Sequence, residues 1–127
     1  MSKIPEGLQY TKDHEWIKVE GKRVIVGITD HAQHELTDIV FVELPKVGRT
    51  LKAREVLGVV ESVKSASEIY APISGKVVDA NKALENAPET INQDPYGKGW
   101  IAVIEPADAG ELKGLLTPAA YKKEIGG

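Results

Sequence analysis

The stretch ESVKSASEIYAPISG, residues 61–75, joins two strand-like runs, VLGVV before it and KVVDA after it. A tight β-hairpin usually turns on Asn-Gly, Asp-Gly or another pair that tolerates positive φ. This one offers Val63 and Lys64, with the small residues Ser62, Ser65, Ala66 and Ser67 around them. The central side chains of a two-residue loop project into solvent, so Lys64 is expected to gain no ion pair and to cover no apolar surface. An amine open from every side suits acylation by another enzyme. A Schiff-base lysine needs instead an apolar pocket that lowers its pKa. The plain alternative is an ordinary solvated lysine.

Outward from this turn the chain alternates as half-buried antiparallel strands do. HEWIKVEG and KRVIVGIT meet at Glu20-Gly21-Lys22, a hairpin. DHAQHEL is expected as a short helix with Asp30 as N-cap and Gln33 completing a capping box. IVFVELP is an apolar strand ended by Pro45, and VGRTLKAREV a turn-and-bend region. VLGVVESV and EIYAPISGKVVDAN are expected as the central strand pair, with Pro72 marking an edge or a bulge. KALENAPETI reads as a helix capped by Asn81, NQDPYGKG as a loop, and GWIAVIEP as a strand. DAGELKGLL, with Asp108 and Glu111 as a second capping box, and TPAAYKKEI, with Thr117 as cap and Pro118 at its first position, close the chain as helices. Trp16, Phe41, Trp100 and the Val/Ile runs are expected in the core. Short strands with closely spaced turn signals predict a mainly β fold. It is a small antiparallel β-sandwich or flattened barrel with short peripheral and C-terminal helices, in one domain over residues 1–127.

The bulk composition narrows the function. With 127 residues, 42% apolar and 28% charged, the chain can bury a single core. Its net charge is -3 and both signs are interspersed, so nothing indicates nucleic acid. No apolar run reaches membrane-span length, and MSKIPEGLQY resembles neither a signal peptide nor an organelle presequence. A bacterial cytoplasmic protein is expected, with a mature mitochondrial-matrix form as the alternative. Cysteine is absent, so any thiol chemistry must be carried by an attached group.

The combination HEWIKVEG, VGITDHAQHELTDIVFVELPKVG, VVESVKSASEIYAPISGKVV and INQDPYGKGWIAVI resembles the glycine cleavage system H protein family of lipoyl carriers. The resemblance spans nearly the whole chain and implies a barrel-sandwich hybrid fold. It also separates the chain from lipoyl domains with Asp-Lys at the turn and from biotinyl domains with Met on both sides of the lysine. It implies that Lys64 holds lipoic acid as N6-lipoyllysine. Glu61 and Gly75 match positions used in presenting that lysine to lipoate-attaching enzymes. On the residues alone, Glu61 could equally be a solvated strand carboxylate and Gly75 a bulge glycine. The implied job is a shuttle without catalysis of its own. The arm takes the aminomethyl group of glycine from the pyridoxal-phosphate-dependent glycine decarboxylase to the tetrahydrofolate-dependent aminomethyltransferase. Dihydrolipoamide dehydrogenase then reoxidises it. A monomer suits brief visits to several enzymes.

A reactive arm carrying an amine calls for a cleft with a carboxylate acceptor and an apolar wall. The resemblance places this cleft near the HEW segment and the strand beyond the Lys64 turn, which makes Glu15 the first candidate, with Asp13 and Glu68 as weaker partners; the alternative is that Asp13 and Glu15 are exposed acids beside Trp16. His31 and His34 share a helix face and His14 lies upstream, but no further ligand at matching spacing supports a zinc site. Two other functions remain in view. One is a lipoyl relay handing lipoate to other complexes, and the other an enzyme using Lys64 as nucleophile, which burial of that lysine would favour.

Overall fold

The computed structural model describes residues 3–126. Two antiparallel sheets face each other without closing into a barrel. The larger has six strands in the order β1 (Gln9–Tyr10), β2 (Glu15–Glu20), β3 (Arg23–Ile28), β9 (Ala102–Pro106), β8 (Gly75–Ala80) and β5 (Thr50–Leu51). The smaller has three, β4 (Ile39–Glu43), β6 (Val56–Ser62) and β7 (Ala66–Tyr70), with β6 central. Inward residues of both sheets, among them Ile17, Val26, Val77 and Ile104 from one and Ile39, Val60 and Ile69 from the other, form one apolar core. The β2–β3 hairpin turns at Glu20↔Arg23, where Gly21 supplies φ +62.

The run EIYAPISGKVVDAN is not one strand. Its first part is β7 in the small sheet and its last part β8 in the large one. Pro72 lies in the link, where a residue without an N–H leaves no ladder bond unmade. Buried Ala71 and Ile73 carry the crossing through the core.

Helical ends also differ from the sequence expectation. Helix α1 (Asp30–Leu36) is capped by Thr29, whose hydroxyl accepts from Ala32 N, while Asp30 accepts from the Gln33 side chain. KALENAPETI forms two single turns, α2 (Ala83–Asn86) and α3 (Thr90–Gln93), because Pro88 interrupts it. Asn81 caps neither with its side chain; its amide donates to the carbonyls of Lys98 and Trp100 and pins the following loop. The segment Ala109–Gly114 is a 3-10 helix capped by Asp108, and Glu111 leaves the capping box to accept from Ser74 N and Oγ. Helix α4 (Pro118–Glu124) has Thr117 and Pro118 where the sequence places them.

Trp16 is core as expected, but Phe41 is 51% exposed, because a register shift between Ile39 and Phe41 turns Val40 and Phe41 both outward. A second cluster, Tyr10, Trp16 and Tyr121, packs the C-terminal helix against β1 and β2.

Gly75 opens β8 where it pairs with Pro106. A Cβ there would stand 2.3 Å from Glu105 O and 2.7 Å from Ile104 Cγ2. Gly75→Ala must therefore push β8 from β9, and we expect it to lower stability by about 1–3 kcal/mol. An unchanged urea midpoint would show that the contact is soft.

Candidate functional site

The turn at Lys64 is built without any residue at positive φ; the only non-glycine residues of that kind among those described are His14, Thr37 and Arg54. Ser62 takes over the work of a glycine turn. Its N–H donates to Ser65 O at 2.8 Å, while its Oγ accepts from Lys64 N at 3.2 Å and Ser65 N at 3.1 Å. Val63 N donates to Asp38 O, just before the neighbouring strand β4, at 3.0 Å. Every backbone N–H from Ser62 to Ser65 is thus satisfied, which fixes the tip and leaves the lysine side chain out of the work. Lys64 is exposed, and none of the ion pairs among the described residues includes it. The apolar pocket of a nucleophilic lysine is not there.

Glu61 is exposed on β6, paired with Phe41 on one side and Ala66 on the other. Gly75 lies in the opposite sheet, where close packing on β9 accounts for it.

Asp13, Glu15 and Glu68 come together on one cleft of about 160 Å³ between β7, α1 and the segment before β2. Its apolar wall is Ile28, Ala32, Leu36, Val60 and Ile69. Glu15 is buried at 1% exposure, not an exposed acid beside Trp16. Its Oε1 accepts from Thr11 Oγ1 at 2.6 Å and its Oε2 from Tyr70 N at 3.3 Å. Among the described residues no cation pairs with it, and Arg54 Nη1 is spent on Asp13 Oδ2 at 2.8 Å. Burial pushes the Glu15 carboxyl up to about 7, with the Thr11 and Tyr70 hydrogen bonds opposing and the Asp13 charge assisting. Glu15 also borders a second cleft, about 500 Å³, together with Lys12, Arg54 and Glu111. Glu68 accepts from Tyr70 Oη at 3.3 Å.

Sequence reasoning missed Thr11, His14, Glu35, Arg54 and Tyr70 as parts of this site. Arg54 meets Asp13 across 41 residues, and no local pattern announces such a pair. The histidines meet one another and nearby acids: the His14 ring lies 4.8 Å from that of His31, His31 Nε2 lies 3.0 Å from Glu35 Oε1, and His34 Nε2 3.5 Å from Asp30 Oδ1. Burial, then the neighbouring His31, lowers the pKa of His14.

Because the native carboxyl of Glu15 titrates near 7 and the ordinary value is 4.5, the folded state holds the extra proton between these limits. Stability from this group is present below about pH 4.5 and falls as pH rises through 7, by about 3 kcal/mol in all. Glu15→Gln removes that dependence. Urea unfolding at pH 5 and pH 8 should show the variant gaining about 2.5 kcal/mol on the parent between the two pH values; a constant difference would place the titration elsewhere.

The pattern of the family described as Glycine cleavage H-protein matches residues 8–126. The chain is 58% identical over 125 residues to the glycine cleavage system H protein of Coprothermobacter proteolyticus, covering 98% of each chain. It is 59% identical over 121 residues to that of Symbiobacterium thermophilum, covering 95% of this chain and 94% of the other. The crystal structure of a glycine cleavage system H protein from Mycobacterium marinum superposes with a TM-score of 0.89 at 45% identity, covering 97% of this chain and 99% of that one. The chain belongs to the glycine cleavage H-protein family, whose members are the non-catalytic lipoyl carriers of the glycine cleavage system.

Proposed function

We propose that Lys64 carries lipoate in amide linkage and that the acid-lined cleft beside β7 receives the working end of the arm. The observation that carries this reading is the hairpin tip, an exposed lysine on a turn whose backbone donors are all satisfied without it. Such a tip offers a modifying enzyme a rigid backbone and a free amine. Once attached, lipoate supplies a disulfide that opens to take up an aminomethyl group and a dithiol that is later reoxidised.

The protein's own part is to receive, orient and shield. Ser67 and Glu68 lie on β7, which begins two residues after Lys64, so the cleft opens beside the start of the strand that leaves the tip. Ile28, Leu36 and Val60 keep water from one side of the cleft. An ammonium group entering it meets Asp13, Glu15 and Glu68. Asp13 is partly neutralised by Arg54, whereas Glu15 is buried without a cation and gains most from one. Glu61, exposed one residue before the tip serine, is the side chain we assign to contact with lipoate-attaching enzymes. For Gly75 we assign packing first, with any effect on lipoylation following from the β8–β9 pairing.

On this reading residues 1–127 form one carrier domain working as a monomer. It visits glycine decarboxylase, aminomethyltransferase and dihydrolipoamide dehydrogenase in their own compartment. That compartment is the cytoplasm in a bacterium, or the matrix for a mature mitochondrial form. Among the described residues no helix is long and apolar enough to cross a membrane.

Peptide-mapped mass spectrometry of protein made in cells supplied with lipoate should show one lipoyl adduct on Lys64, lost in Lys64→Ala. Glycine-dependent mass gain in the presence of the decarboxylase distinguishes this shuttle from a relay of lipoate. A bare Lys64 beside a modified control domain would defeat the assignment.

A further inference from the structure

Three non-glycine residues among those described have positive φ, and of these His14 lines the acid cleft. They are His14 at φ 70, Thr37 at φ 66 and Arg54 at φ 78. His14 stands between Asp13 and Glu15, Arg54 holds Asp13, and Thr37 ends the helix that gives Ala32 and Leu36 to the wall. This backbone costs an L-residue roughly 1–2 kcal/mol, and it persists where the surroundings over-determine it.

The holds differ. Arg54 N donates to Ala71 O at 2.8 Å, and Thr37 N to Gln33 O at 3.0 Å. His14 is held through its side chain as well as its backbone. Its Nδ1 lies 2.9 Å from Tyr121 Oη, which is also 2.7 Å from Thr29 Oγ1. Tyr121 comes from α4, 107 residues along the chain, is fully buried and stacks on Tyr10 at 4.7 Å between ring centres. The left-handed His14 lets the segment from Thr11 to Glu15 close on itself, with His14 N donating to Thr11 O and Thr11 N to Glu15 O. That closure brings Thr11 Oγ1 to 2.6 Å from Glu15 and leaves Asp13 facing Arg54.

We propose that Tyr121 is a positioning residue for the acid cleft: its hydroxyl, by holding His14 in the left-handed conformation, sets where Asp13 and Glu15 point and so how firmly an amine-bearing arm docks. The C-terminal helix is then part of the binding apparatus, although it contributes no lining residue to the cleft. This inference rests on the arm-docking reading above.

Tyr121→Phe keeps the ring stacking and removes the hydroxyl. Lipoylated parent and variant are loaded from glycine labelled with carbon-13 at its methylene, and the docked and free arm signals are compared by NMR. The variant should be lipoylated as fully as the parent by mass, with its docked-to-free ratio down about five- to tenfold, the loss of one hydrogen bond. A crystal structure of the unmodified variant should show His14 out of the left-handed region. Glycine adopts positive φ without strain, so once H14G is present, adding Y121F should lower docking little beyond the level of H14G alone, and the double variant should fold even where Y121F alone does not. Docking equal to the parent in Y121F, a His14 that stays near φ 70, or a Y121F effect as large in the H14G background as in the parent overturns the proposal. A parent that is lipoylated and loaded but never docks fails earlier, overturning the arm-cleft reading together with this one.

Discussion

The two sheets are unequal, and most of the structure follows from that inequality. Three strands cannot cover the inner face of six, so the apolar surface left over must be closed by other elements. Ala32 and Leu36 of α1, and Leu112 and Leu115 at the 3-10 helix, pack on the core where strands are missing. A helix meeting the edge of a sheet does not interdigitate with it as a strand would. Where α1 approaches the edge strand β7, the gap that remains is the cleft holding Asp13, Glu15 and Glu68. The site is thus a by-product of the sandwich's asymmetry, furnished with acids.

The furnishing is electrostatically unusual. A buried carboxyl is normally paired with a cation or kept neutral. Glu15 has a hydroxyl and a backbone N–H as partners while the nearby guanidinium faces Asp13. On the reading proposed above, the missing cation is the amine on the arm. A site prepared in this way would bind a charged cargo more strongly than the bare arm, and so would distinguish a loaded carrier from an empty one. The hairpin tip shows the opposite treatment: Lys64 is left exposed and unpaired, while Ser62 and Asp38 O hold the backbone beneath it. Among the described residues, one acid is buried without a cation and one amine is exposed without an anion.

Much of this was legible in the order of the residues. Alternation gave the strands, Glu20-Gly21-Lys22 the first hairpin, Thr117-Pro118 the start of the last helix, and the Val-Lys turn its exposed lysine. Asp13, Glu15 and Glu68 were recognised as a set through family resemblance. Errors gathered where a side chain had two possible partners. Asp30, Asn81 and Glu111 each carry a local capping pattern, yet Asp30 leaves the cap to Thr29 and accepts from Lys3 N, Asn81 bonds the Lys98 and Trp100 carbonyls, and Glu111 accepts from Ser74. Local hydrogen-bond patterns are weak enough for a distant partner to outcompete them.

The sequence by itself determined which segments alternate, where the chain turns and which lysine stands at a tip, because these depend on side-chain period and on neighbours within a few residues. Only the tertiary structure decided that Glu15 is buried and Phe41 exposed, that Pro72 carries the chain between sheets, that Arg54 answers Asp13 and that Tyr121 holds His14. Burial and long-range pairing are set by how the sheets and helices stack around one core. That arrangement is a property of the whole chain, and no window of residues contains it.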